Sequence, residues 1–279
     1  MAILIDGKAV SAAEREIIKE QVSKMTVKPG LAVILVGEDP ASQVYVRNKK
    51  KACADVGIYS ESFDLPAHTT QEELLALIDK LNCKDDIHGI LVQLPLPKQI
   101  DESAVINAIV PEKDVDAFHP VNVGKIMTGD YDFLPCTPAG VMCLLKHYNI
   151  DPSGKECVVV GRSNIVGKPQ AMLLLHANGT VTMCHSRTKD LKAKCLEADI
   201  LVVAIGKADF ITGDMVKEGA VVVDVGINRK DDGKLTGDVD FASVEPKASY
   251  ITPVPGGAGP MTITMLLKNT VKAAELKGE

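Results

Sequence analysis

Short apolar runs alternate with amphipathic stretches along the whole 279-residue chain, and this alternation leaves few folds open. Runs at 31–37, 58–65, 87–94, 157–161, 180–184, 200–205, 220–225 and 249–252 are brief, rich in β-branched residues and bounded by Gly, Pro, Asp or Asn. They read as strands. The stretches 12–25, 41–56, 71–81, 102–109, 138–148, 167–177, 188–197 and 260–276 carry apolar residues at helical spacing and read as helices. Strands separated by helices are joined by crossovers, which make parallel sheets covered on both faces. The expected class is α/β.

The segment 111–138 breaks this rhythm with four prolines and the acidic run Lys113-Asp114-Val115-Asp116. It is expected to connect two α/β units and to mark a cleft between them. That reading divides the chain into an N-terminal α/β domain over 1–118 and a second domain over 119–259. The last helix, 260–279, follows the turn Thr252-Pro-Val-Pro-Gly-Gly-Ala-Gly-Pro260 and is expected to pack back on the first domain.

Composition excludes several function classes. Apolar residues make up 46% and charged residues 24%, the profile of a packed, water-soluble protein. The net charge of −6 is spread with both signs mixed, so a nucleic-acid partner is not expected. No apolar run approaches a membrane span, so no membrane association is expected either. Seven cysteines lack a CxxC pair, and no secretory segment precedes them, which predicts reduced thiols in a cytoplasm. Neither the cysteines nor the six histidines are spaced as metal ligands, so no metal is expected.

Two constellations carry chemistry. The first is Cys157-Val-Val-Val-Gly-Arg-Ser-Asn-Ile-Val-Gly167, a buried strand, a tight turn and a helix start. Gly161 permits the sharp turn and Gly167 a close approach, and the helix N-terminus then offers unpaired N–H groups to a pyrophosphate. An NAD site places a carboxylate at the end of the following strand. Here that strand ends in His185-Ser186-Arg187, with Arg162 in the turn as a second cation. A hydroxyl and guanidinium groups suit a ribose phosphate, which makes this a Rossmann-like site for NADP. A solvated surface arginine is the plain alternative for Arg187.

The second is Lys49. On the helix after Asp39-Pro40, Tyr45, Lys49, Ala52 and Val56 share one stripe at a hundred degrees per residue, while Lys50 and Lys51 point away. A lysine on an apolar face loses stability as an ammonium, so its pKa is expected to fall and suit proton transfer. The alternative is a lysine that snorkels along Tyr45 to water. Gln93, at the carboxyl end of a buried strand, is an amide in need of partners and could meet Lys49 or a substrate. Asp116, in the connector, could bind a polar ring or simply form a turn.

These segments resemble the bifunctional methylenetetrahydrofolate dehydrogenase/methenyltetrahydrofolate cyclohydrolase family. The resemblance rests on Tyr45-Val-Arg-Asn-Lys49, Gly89-Ile-Leu-Val-Gln-Leu-Pro-Leu96, Pro111-Glu-Lys-Asp-Val-Asp116 and Pro135-Cys-Thr-Pro138. It continues through Val160-Gly-Arg-Ser-Asn-Ile-Val-Gly167, Asp224-Val-Gly-Ile-Asn228 and Ile251-Thr-Pro-Val-Pro-Gly-Gly257, nearly the whole length. It implies a folate in the cleft, with Lys49 transferring protons, Gln93 tuning it, Tyr45 stacking on the substrate and Asp116 binding the pterin. Leu94, Pro255, Gly256 and Gly257 would complete the substrate side. NADP would lie on Gly161, Arg162, Ser163 and Ile165, with Ser186 and Arg187 near the ribose phosphate and Ile227 near the nicotinamide. Homodimers paired through the nucleotide-binding domains are also implied.

The family commonly has Gly where this chain has Ala117, and Val where it has Ala258. Three rivals stay open: a folate dehydrogenase without the hydrolase, a shikimate-type NADP dehydrogenase of similar architecture, and a nucleotide-sensing module that does not react.

Overall fold

The computed structural model describes residues 1–278. The chain forms two compact units, one made of Met1–Ala12 with Pro135–Thr262, the other of Ala13–Leu134 with the residues from Ile263 on. In chain order, β1 (Ile3–Leu4) is followed by α1 (Gly7–Lys24), β2 (Gly30–Val36), α2 (Pro40–Val56), β3 (Tyr59–Leu65), α3 (Gln71–Asn82), β4 (Gly89–Val92) and α4 (Glu102–Ala108). Then come α5 (Pro120–Thr128), α6 (Cys136–His147), β5 (Glu156–Val160), α7 (Gly167–His176), β6 (Thr180–Cys184), α8 (Leu191–Leu196), β7 (Ile200–Val203) and β8 (Val221–Asp224). The hairpin of β9 (Asn228–Arg229) and β10 (Leu235–Thr236), α9 (Phe241–Val244), β11 (Tyr250–Ile251) and α10 (Ala258–Gly278) complete it.

The unit built on Ala13–Leu134 has a three-stranded parallel sheet in the order β3-β2-β4. Its middle strand, Gly30-Leu-Ala-Val-Ile-Leu-Val36, is buried at every position, as a strand covered on both faces must be. Ile34, Ile90, Leu74 and Ile78 form the centre of its core. The helix boundaries follow local chemistry. Asp39 accepts from the Ser42 N–H at 2.8 Å, Pro40 fills the first turn, and Gly57 closes α2 at φ +85°. A reciprocal capping box between Thr70 and Glu73 starts α3.

The acidic run of the connector is structural up to its last member. Lys113 is buried, and its Nζ donates to the Leu81 and Lys84 carbonyls at 2.9 and 2.7 Å, satisfying the end of α3. The Asp114 carboxylate accepts from the His119 N–H at 2.8 Å and the Asn122 amide at 2.9 Å; burial pushes its pKa up. Val115 is fully buried and fills the space that Gly89 leaves. Ala117 follows at φ +57° with no exposure. A Cβ in that region costs about 1–2 kcal/mol. Ala117→Gly is therefore expected to stabilise the protein by about 1 kcal/mol, read as a rise in the denaturant midpoint; an unchanged or lower midpoint refutes this.

The other unit holds a six-stranded, wholly parallel sheet in the order β1-β11-β8-β7-β5-β6. Its core gathers Val158, Val160, Leu201, Val203 and Val222. The strands β6 and β7 lie on opposite sides of β5, so the chain reverses its direction of winding there. In open parallel sheets a ligand crevice forms at such a switch point, beyond the carboxyl ends of the strands.

The segment 111–138, expected as a connection alone, holds a helix. α5 starts at Pro120, is capped by the His119 Nδ1 accepting from the Val121 N–H at 3.1 Å, and ends at Gly129 with φ +83°. The unit boundary falls at Leu134, later than the expected 118, and the first twelve residues join the six-stranded sheet because β1 pairs with β11.

Candidate active site

In the three-stranded unit the expected stripe of α2 turns inward. Val46, Lys49, Cys53 and Val56 are buried, Tyr45 is half-buried, and Lys51 is exposed. Lys49 retains only 8% exposure. Its Nζ donates to Gln93 Oε1 at 3.0 Å, and Gln93 Nε2 donates to the Leu94 carbonyl at 2.7 Å. The second bond fixes which end of the amide faces the lysine, so the acceptor and not the NH2 is presented to Nζ. Gln93 sits just past the buried strand β4 and is half-buried. One turn beyond Lys49, burial pushes the Cys53 thiol up to about 11, against the pull of the Ser60 hydroxyl and Lys49. That thiol is no nucleophile at neutral pH. Burial also raises the Tyr45 phenol.

Leu94 and Asp116 line one small pocket with Ile90, Val92, Asp114 and Phe118. Asp116 thus stands at the carboxyl end of the sheet, brought there by a bridge between Asp114 and Ile90.

In the six-stranded unit, Gly161 turns at φ +142°, and a Cβ there would overlap the Ala204 carbonyl oxygen at the end of β7. A Cβ at Gly167 would overlap the Gly161 carbonyl oxygen. Both glycines are needed to bring strand, turn and helix together at the switch point. Ser163 Oγ accepts from the N–H groups of Val166 and Gly167 at 3.1 and 3.3 Å, setting the turn. Arg162 and Ile165 are exposed beside it. The cradle suits the pyrophosphate of a dinucleotide. Gly161→Ala is expected to cost roughly 3 kcal/mol or more, since the obstacle is backbone; an unaltered thermal midpoint would show the turn adapts.

After β6, the chain forms a tight turn in which the His185 N–H donates to Thr188 Oγ1 at 2.8 Å and the Arg187 N–H donates to His185 Nδ1 at 3.1 Å. The histidine Nδ1 is thereby engaged in the turn. Ser186 and Arg187 are left exposed at the strand end. Ile227 is 44% exposed between Gly226 and Asn228 at the end of β8. Gly256, at φ +116°, follows Pro255 and accepts from the Lys8 N–H at 3.1 Å. Gly257 is packed against Thr252 and Pro253, with no space for a Cβ.

Two buried carboxylates stand outside the expected site residues. Asp224 and Asp238 are 3% and 0% exposed, and they tie together the loops that leave β7 and β8. Asp224 closes a valine run, Val221-Val-Val223, and a charged residue there was a signal. Asp238, among short loops, gave none. Among the described residues no group of His, Cys, Asp and Glu could hold a metal, and no helix is long and apolar enough to cross a membrane.

Comparison with known proteins bears on both units. Residues 5–116 match the family model described as tetrahydrofolate dehydrogenase/cyclohydrolase, catalytic domain, and residues 135–278 match that family's NAD(P)-binding domain. The chain is 64% identical over 276 residues to the bifunctional protein FolD of Moorella thermoacetica, covering 98% of this chain and 99% of that one. The crystal structure of bifunctional FolD from Campylobacter jejuni superposes with a TM-score of 0.96 at 54% identity, over 99% of this chain and 100% of that one. The Trypanosoma brucei FolD, complexed with NADP cofactor and an inhibitor, gives a TM-score of 0.95 at 41% identity, covering 100% and 99%. With both domain models matched in order and relatives similar from end to end, the chain belongs to the tetrahydrofolate dehydrogenase/cyclohydrolase family.

Proposed function

We propose that this protein oxidises 5,10-methylenetetrahydrofolate to 5,10-methenyltetrahydrofolate with NADP and then hydrolyses the product to 10-formyltetrahydrofolate, with Lys49 as the proton-transfer residue. The observation that carries the hydrolytic half is a lysine at 8% exposure bound to Gln93 Oε1 at 3.0 Å, within the unit that matches the catalytic domain. Hydride transfer itself needs no proton from the protein, so a buried lysine held in this way favours the reading that includes the hydrolase.

NADP, when bound, supplies the hydride acceptor. Gly161, Arg162, Ser163 and Ile165 would hold it at the turn, Ser186 and Arg187 at the ribose phosphate, and Ile227 beside the nicotinamide. In the first step the bridging methylene carbon gives up hydride while the lone pair of the adjacent ring nitrogen completes a cationic amidine. The protein's part is to position the two reactants. Tyr45 offers a half-buried ring for stacking, and Asp116, Leu94 and the Pro255–Gly256–Gly257 turn bind the rest of the folate. In the second step water adds to the amidine carbon. Lys49 takes the proton that the water releases and returns it to the ring nitrogen as its bond to that carbon breaks, while the remaining hydroxyl proton passes to solvent as the formyl C=O forms. Gln93, fixed by its bond to the Leu94 carbonyl, keeps Nζ on that path.

Steady-state rates of both half-reactions, each with NADP and with NAD, test the proposal. Oxidation that prefers NADP, together with nucleotide-independent hydrolysis, is expected; the absence of hydrolysis leaves the dehydrogenase-only reading. The same proposal places the protein in the cytoplasm as a homodimer acting on a small-molecule folate, with no nucleic acid or membrane involved. A monomeric mass by sedimentation equilibrium would remove the dimer.

A further inference from the structure

The loops that leave β7 and β8 lie beyond the carboxyl ends of the parallel sheet, where a dinucleotide is expected, and a pair of buried carboxylates holds them. Asp238 Oδ2 accepts from the N–H groups of Ile205 and Gly206 at 2.7 and 3.0 Å. Its Oδ1 accepts from the Lys207 N–H at 2.8 Å and from Asn228 Nδ2 at 2.8 Å. Three successive N–H groups converging on one anion form a concavity of the kind that elsewhere binds a phosphate. Here the protein's own carboxylate fills it.

Asp224 does the same one layer back. Its Oδ1 accepts from the Gly226 N–H at 2.9 Å and the Asp238 N–H at 3.0 Å, and its Oδ2 from the Val239 N–H at 2.8 Å. Asp224 is itself oriented by its own N–H, which donates to Thr252 Oγ1 at 2.7 Å. Ile227 therefore stands between two anchored residues, Gly226 through Asp224 and Asn228 through Asp238. The spacing is tight: a Cβ at Gly226 would overlap the Asp238 carboxyl, and one at Gly237 would overlap the Asp224 carboxyl.

We propose that Asp238 is a positioning residue for hydride transfer, setting the 205–207 and 226–228 loops against the nicotinamide ring without touching substrate or cofactor. This rests on the function proposed above and names the residue on which its first step depends. The donors come from the ends of two paired strands, and this one carboxylate bonds both loops beyond them. The network lies wholly within the six-stranded unit, while Lys49 and Gln93 lie in the other, so the two half-reactions should separate.

The test is Asp238→Asn, which preserves size and removes the charge. Both carboxylate oxygens accept from backbone N–H groups, so an amide turned either way sets its NH2 against a donor. The expected result is a fall of roughly 10- to 100-fold in kcat for methylenetetrahydrofolate oxidation, with little change in KM for NADP and with hydrolysis of methenyltetrahydrofolate, assayed without nucleotide, retained. An unchanged oxidation kcat, or equal losses in both activities, overturns the proposal. Should Asp238→Asn fail to fold, Asn228→Ala removes one side-chain donor only; a smaller loss confined to oxidation supports the proposal and no loss overturns it. Wild-type protein that oxidises nothing would sink the proposed function instead.

Discussion

Lys49→Met is expected to reduce hydrolysis of methenyltetrahydrofolate by roughly 10²- to 10⁴-fold, the usual worth of a positioned proton-transfer group. Methionine is unbranched and of similar length, so it should fill the stripe formed by Val46, Cys53 and Val56 without a cavity. What it removes is the proton carrier and the donor to Gln93 Oε1. The loss of that hydrogen bond costs about 1 kcal/mol, too little to unfold the domain. Oxidation should fall far less, because hydride departure is driven by the ring nitrogen and needs no proton from the protein. Measuring both rates on one preparation gives the answer. Hydrolysis at the wild-type rate would remove Lys49 from the mechanism, and a parallel loss of both would assign it to substrate binding.

This prediction could be reached from sequence because helix geometry places residues on faces without tertiary information. Lys49 falls on the stripe of Tyr45, Ala52 and Val56, and the structure buries it. Strands β2, β4, β5, β7 and β8 were legible for a similar reason. A parallel strand covered on both faces is a continuous apolar run, and Val158, Val202 and Val223 are almost wholly buried. Elements defined by distant partners were not legible. β1 is two residues long and exists only through its pairing with β11. α5 is short, leaves Val121, Val123 and Met127 exposed and buries Asn122 beside Ile126, so its apolar residues do not mark its buried face. Asp238 was hidden more deeply than Asp224, since most of its partners are backbone N–H groups contributed from as far as Ile205. Main-chain donors are present at nearly every residue and leave no mark in a sequence.

Arg187→Ala carries the second large effect, and it tests the feature that separates NADP from NAD. The turn from His185 to Thr188 is closed by its own hydrogen bonds, the Arg187 N–H to His185 Nδ1 and the His185 N–H to Thr188 Oγ1. Neither uses the guanidinium. Truncation to alanine therefore leaves the turn intact and removes only a cation from the end of β6. A hydrogen bond to a charged group is worth about 1.5–3 kcal/mol, and the arginine is exposed, so the lower end applies. The expected outcome is roughly a tenfold loss of NADP affinity, with NAD affinity nearly unchanged because NAD has no phosphate on that ribose. Ser186→Ala should act in the same direction and more weakly, since a neutral hydroxyl makes the weaker bond. The ratio of the two affinities is the informative quantity, because any general damage to the domain cancels in it. Equal losses for both dinucleotides would place the phosphate elsewhere, with Arg162 the next residue to substitute.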